Sequence, residues 1–204
     1  MKESHADRRV RRSKKALKNA LITLMDQKEL KDITIINIVE LADVNRGTFY
    51  RHYQWKEDLL EDLANDVLED LIFAYRFPYL HLRTFHIDSL PSSSIKIFDH
   101  VLKYATFYKL VFTLDSLKDY KLRIYQTLKE IATQDLENTI EDVKINRNLY
   151  VSYQTNAIIG MLEEWIKEDF SYPTEYMAEQ LLTIIHTMHS HPASIRILNK
   201  ALHP

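Results

Sequence analysis

Residues 34–56, TIINIVELADVNRGTFYRHYQWK, hold the densest run of chemically useful side chains in this 204-residue chain. Asn45, Arg46, Thr48, Tyr50, Arg51, His52 and Lys56 all carry hydrogen-bonding groups, and Gly47 among them would let the backbone approach a ligand closely. Their chemistry is recognition. Arginine can contact guanine through two parallel bonds, threonine can touch a base edge or a thymine methyl, and the remainder suit phosphate oxygens.

Two short helices joined by a tight turn would position them. Thr34 is a good N-cap for the first, where Ile35, Ile38, Val39 and Ala42 share a face. Asp43-Val44-Asn45 breaks the run. Asp43 must take a left-handed conformation, Val44 plugs the angle between the helices, and Asn45 caps the next helix, residues 46–53. Phe49 and Tyr53, four apart, are its apolar anchor. A short helix full of donors on one narrow apolar seam fits a DNA recognition helix in the major groove.

Charge is distributed to match. Residues 1–56 hold 13 Lys+Arg and 7 Asp+Glu, while residues 57–204 hold 14 and 22; 8 of the basic residues lie in residues 1–18. The basic front end calls for a polyanionic partner there. Residues 1–12 read as a disordered arm or the frayed start of a helix, able to reach phosphates or a minor groove.

With 2 Gly, 5 Pro and abundant Leu, Ile, Lys and Glu, the expected fold class is all-α. Helices are expected over residues 13–28, 57–75, 92–104, 105–114, 116–137, 146–169 and 173–189, with a broken segment at 76–91 and connections at 138–145 and after 192. The division expected is 1–56, arm and helix-turn-helix, and 57–204, a linking helix and a regulatory and dimerisation domain. No stretch reaches about 18 apolar residues and no secretory signal is evident, so a cytoplasmic protein with no membrane partner is expected. Zero Cys rules out disulfides and thiolate metal sites. His186, His189 and His191 read as polar residues near a helix end, so no metal and no cofactor are expected. There is no phosphate-binding glycine loop, nucleophile elbow or His-Glu metal motif, and no enzyme is expected.

Residues 13–57 resemble the DNA-binding domain of TetR-type transcriptional regulators. The resemblance rests on Ile33-Thr34-Ile35, the run from Ala42 through Tyr50, His52-Tyr53 and Lys56. Asp43 departs from the usual turn glycine, and Val39 stands where a small alanine is common. Further on, Phe107-Tyr108-Lys109-Leu110 and the block from Ile158 through Ile166 are similar to a subgroup common in Firmicutes that includes the activator of dihydroxyacetone kinase genes.

The resemblance implies that Arg46, Gly47, Thr48 and Tyr50 sit closest to DNA, with Asn45 also in the DNA-binding set and Thr34, Tyr50, Arg51, His52 and Lys56 on phosphates. It implies a helical second domain whose last two long helices pair in a homodimer, with Ala157, Gly160, Met161, Trp165, Leu181, Ile184, Ile185 and Met188 at the interface. Phe98, Tyr104, Phe107, Tyr108, Phe112 and Tyr153 are candidates for an effector cavity. The functional expectation is a repressor that binds a palindromic double-stranded operator as a homodimer and is released by a small-molecule or protein effector. The alternative is an activator that depends on a protein partner and has no pocket.

Overall fold

The computed structural model describes residues 5–80, 89–135 and 146–190. The elements among them are helical: α1 (His5–Met25), α2 (Ile35–Leu41), α3 (Arg46–Tyr50), α4 (Lys56–Arg76), α5 (Ile97–Lys103), α6 (Ala105–Thr113), α7 (Lys118–Asp135), α8 (Arg147–Lys167) and α9 (Thr174–Ser190). Short 3-10 turns stand at Leu30–Asp32, Phe77–Tyr79, Ser92–Ser94 and Asp115–Leu117.

α4 is the central element. Leu59, Leu60, Leu63, Ala64, Val67, Leu71 and Ala74 recur at helical spacing and are all buried. They pack α4 against α1, α5 and α7. The hydrophobic core is continuous from Leu17 in α1 to Ala178 in α9, so α4 joins the first helices to the rest through packing as well as through the chain.

Polar ties fix α4 along its length. Arg123 of α7 donates to both oxygens of Glu61 at 2.9 Å, and Arg76 donates to Asp135 at 2.6 Å. His100 of α5 is almost fully buried, with Nδ1 2.9 Å from Asp70 Oδ2 of α4 and Nε2 2.8 Å from the Tyr108 hydroxyl of α6. Burial pushes the His100 pKa down, against the pull of Asp70. The neutral ring therefore donates from Nδ1 to the carboxylate and accepts from the tyrosine.

Several expectations shift. Residues 5–12 are already helix, so α1 starts well before residue 13. The stretch expected as one helix over 92–104 is a 3-10 turn followed by α5. Residues 138–145 and 192–204 lie outside the described residues, as do His191 and the side chains of Met188 and His189.

α8 buries one face and leaves apolar residues exposed on the other. Val151, Thr155, Ile159, Leu162, Trp165 and Ile166 point inward, whereas Leu149 and Tyr153 are 71% and 56% exposed. The helix is apolar on most sides, so its periodicity does not single out one buried stripe.

Candidate nucleic-acid interface

The helix-turn-helix is held by local chemistry. Thr34 Oγ1 accepts from the Asn37 N–H, and Asn37 Oδ1 accepts from the Thr34 N–H, both at 3.1 Å. This reciprocal cap satisfies two donors at the start of α2. At the other end Asp43 takes φ 51°, with its N–H on Glu40 O, while the Val44 N–H reaches back to Val39 O at 3.1 Å. The chain thereby leaves α2 in the left-handed conformation expected of Asp43. Asn45 Oδ1 then accepts from the Gly47 N–H at 2.7 Å and starts α3. A Cβ on Gly47 would sit 3.3 Å from that same oxygen, so glycine also keeps the cap uncrowded.

α3 is anchored by two rings and presents the rest outward. Phe49 and Tyr53 are buried, with centroids 5.6 Å apart, and Tyr53 falls in the turn after α3. Arg46, Gly47, Tyr50 and Arg51 are exposed; Thr48 and His52 are half-buried. Arg46 lies over the Tyr50 ring and donates to its hydroxyl at 3.1 Å, which aligns a guanidinium with an aromatic face at the surface. Burial, then Lys14 and Arg51, lower the His52 pKa, so its imidazole acts as a neutral hydrogen-bonding group.

Lys56 has a different role from the phosphate contact expected of it. Its ammonium donates to the carbonyls of Leu30, Lys31 and Ile33 at 2.6, 3.1 and 2.8 Å. Those carbonyls belong to the turn before α2, and the lysine ties that turn to the start of α4. Three donors on three acceptors use up the ammonium.

Trp55, next to it in the chain, is 59% exposed.

The basic front end is also partly spent. Lys18, buried, reaches Asp62 at 2.9 Å and Asp66 at 2.6 Å, and Lys14 reaches Asp62 at 3.1 Å. Arg8, Arg9, Arg11, Arg12 and Lys15 are exposed along α1.

Comparison with known proteins agrees with this geometry. Residues 19–63 match the model of bacterial regulatory proteins of the tetR family, and residues 88–187 match that of a transcriptional regulator C-terminal region. Together they take in well over half of the chain. The chain belongs to the TetR family of bacterial transcriptional regulators.

A curated relative from Bacillus subtilis (strain 168), the uncharacterized HTH-type transcriptional regulator YxbF, is 22% identical over 169 residues. That match takes in 83% of this chain and 43% of YxbF, so the chain spans less than half of that relative's length. Among solved structures, a TetR regulator from Streptococcus agalactiae 2603V is 23% identical with a TM-score of 0.56, over 88% of this chain and 97% of its own. The dihydroxyacetone kinase operon activator DhaS is 16% identical with a TM-score of 0.59, over 86% and 95%. These structural likenesses concern the fold. TetR-family regulators bind DNA and are not enzymes. Among the described residues, no helix is long and apolar enough to cross a membrane.

The second part of this TetR-family chain holds a cavity of about 400 Å³ between the end of α4, residues 90–97, α8 and α9. Of the six aromatics expected to line one, only Tyr153 does. Phe98, Phe107 and Tyr108 are core, and Tyr104 and Phe112 pack against it, because the aromatic stripe of α5 and α6 is their inward face. The cavity walls are mainly aliphatic instead.

Five residues expected at a dimer interface, Ala157, Met161, Leu181, Ile184 and Ile185, are among the lining. Trp165 is not at the surface. It is 1% exposed, stands edge-on to Phe98 and Phe170, and donates from Nε1 to Tyr172 O at 3.0 Å. Gly160 lies on the outer side of α8, with nothing within 4 Å of where a Cβ would stand.

Proposed function

We propose that this regulator binds a near-palindromic operator as a homodimer, represses from it, and is released when a small molecule fills the cavity. Each protomer places α3 in a major groove, with Arg46, Thr48 and Tyr50 toward base edges and Thr34, Arg51, His52 and the exposed arginines of α1 toward phosphates. The observation that carries this reading is the construction of α3: capped by Asn45, seated on Phe49 and Tyr53, and presenting Arg46, Gly47, Tyr50 and Arg51 to solvent. Residues 1–56 and 57–204 divide the work between reading DNA and governing it.

Dimerisation through the outer faces of α8 and α9 is supported by composition. Residues 148–162 contain no Asp, Glu, Lys or Arg, yet Leu149, Tyr153, Ala157 and Gly160 are exposed. An uncharged strip of that length in water marks an interaction surface. The alternative, an activator answering to a protein partner, draws on the likeness to DhaS, which is one of fold alone. The cavity supports a small-molecule effector over that alternative.

The deciding experiment titrates the protein with DNA from upstream of its own gene across a salt series. The expected result is one preferred fragment, bound with an affinity that falls steeply with salt, about 0.9 log units per log unit of salt for each phosphate contacted. Weak binding to every fragment alike would overturn the reading.

A further inference from the structure

The cavity is polar at one end and apolar over the rest. Its α8 wall runs Tyr150, Tyr153 and Gln154, then Ala157, Ile158 and Met161. The polar half lies at the start of α8, where Arg147 donates to Thr133 O of α7 at 2.7 Å. The end of α4 and the turn after it add two hydroxyls, those of Tyr75 and Tyr79, whose rings meet edge-on at 6.5 Å. Tyr79 is committed: its hydroxyl donates to Asp135 Oδ2 at 3.1 Å, on the last residue of α7.

Three other groups are not committed. Among the described residues, the Tyr75 hydroxyl, the Tyr150 hydroxyl and the Gln154 amide have no hydrogen-bond partner, and all three side chains line the cavity half-buried. No buried side-chain polar atom of the described residues lacks a partner, so these three are groups that the open space of the cavity reaches. Tyr150 and Gln154, four apart on one helix, share a face. Burial, and then Asp135, push the Tyr75 pKa up to about 12, so its hydroxyl keeps its proton and can donate.

No charge answers from within the cavity. Lys96 is the one Asp, Glu, Lys or Arg among the lining residues. Its ammonium stands 3.0 Å from Asp99 and 5.9 Å from the centre of the Phe77 ring, and neither of those lines the cavity. The Asp135 carboxylate, also outside the lining, is held by Arg76 at 2.6 Å as well as by Tyr79. A carboxylate or ammonium on a ligand would therefore leave water for a chamber with no counter-charge, a cost that neutral hydrogen bonds do not offset.

We propose that the cavity takes an uncharged, largely apolar molecule bearing a carbonyl oxygen (a ketone, ester or amide), and that Tyr75, Tyr150 and Gln154 read that oxygen. This rests on the proposed reading of the cavity as the effector site and adds the class of effector. Each of the three groups can donate, and a carbonyl oxygen accepts two bonds. The body of the molecule lies against Ile158, Met161 and Leu182. A molecule of the same shape without the oxygen leaves the donors dry and unpaired, so the site rejects it.

The test uses the full chain and four probes built on one ring system. 2-Acetylnaphthalene carries the carbonyl, and 2-isopropylnaphthalene has its shape without the oxygen. 2-Naphthoate is the anion and 2-naphthylmethylammonium the cation. Equilibrium dialysis gives the affinities for the wild type, Tyr75→Phe and Gln154→Leu, and circular dichroism checks that both variants fold.

The ketone is expected to bind about tenfold or more tightly than each of the other three. Either variant should weaken the ketone about three- to tenfold, as for the loss of one hydrogen bond, and leave the isopropyl compound within about twofold. An isopropyl compound bound as tightly as the ketone, or variants that weaken both alike, would overturn the inference and leave the effector reading standing. Tightest binding of the anion would overturn it in favour of a salt bridge to Lys96. A folded protein that binds its operator but none of the four probes would overturn it together with the effector reading.

Discussion

The Tyr53 hydroxyl donates to Asp62 Oδ2 at 2.6 Å, and that same oxygen also faces Lys14 and Lys18. A tyrosine at the end of the recognition unit is thus bonded to the helix that leads into the second part of the chain, inside a cluster that includes α1. Burial pushes the Asp62 carboxyl up, but the bonds from Tyr53, Lys18 and Lys14 outweigh it and hold its pKa at about 2. With the folded value depressed, the stability it contributes is complete above the ordinary carboxylate pKa and is lost as pH falls from about 4 towards 2. Asp62→Asn is expected to flatten that part of the acid-unfolding curve, followed by helical circular dichroism. Tyr53→Phe is expected to move the curve to higher pH without changing its shape elsewhere.

Lys56→Met separates two roles. Removing a charged donor from three carbonyls is expected to destabilise the protein by about 1–3 kcal/mol, which for a chain of this size lowers Tm by about 2–4 °C per kcal/mol. The salt slope of operator binding should not change. A slope shallower by about 1 with an unchanged Tm would return Lys56 to the phosphates.

Arg46→Ala is expected to cost about 1–3 kcal/mol on the preferred operator and to relax specificity at one base pair, measured by competition among single-base operator variants. Tyr50→Phe removes the hydroxyl that Arg46 donates to and should produce a smaller loss at the same base pair, because the ring still supports the guanidinium.

His100 gives a pH dependence of the opposite origin. Its pKa is lowered by burial, so the unfolded chain takes up the proton first, and the stability contributed by the neutral ring is lost as pH falls below about 6.5. Urea midpoints should drop between pH 7.5 and 5.5 in the wild type. In His100→Gln the drop should be smaller, on a lower starting stability.

Trp55 is exposed and Trp165 is buried, and they are the two tryptophans of the chain. Operator DNA is expected to quench emission from Trp55, and Trp55→Phe should remove the quenching while leaving the buried signal. Quenching that persists in Trp55→Phe would place the optical change in the second part of the molecule.

What the sequence made legible was what is local. Thr34 and Asn45 cap the helices that follow them because an N-cap needs only a side-chain oxygen and a neighbouring N–H. Asp43 adopts its left-handed conformation for a reason visible in four residues. What stayed hidden depends on distant partners. Lys56 bonds carbonyls 23 to 26 positions away, and Lys18 meets Asp62 and Asp66 across 44 to 48. A basic residue with a far acid looks the same in sequence as one free for DNA. The inward side of α8 was hidden for a different reason: a helix that is apolar on most of its sides has no single hydrophobic stripe to read.

The left-handed positions at the two helix ends, Asp43 after α2 and Asp169 and Phe170 after α8, are all occupied by residues other than glycine. At the first of these, a side chain narrows the conformations open to the link between α2 and α3, and the Val44 N–H on Val39 O narrows them further. The two helices are therefore geared together rather than hinged. Under the proposed function, a signal from the second part of the molecule would move α3 together with α2 rather than tilt it alone. In the proposed homodimer that would change the spacing between the two helix-turn-helix units, a change that distance measurements between labels on the two α3 helices would read.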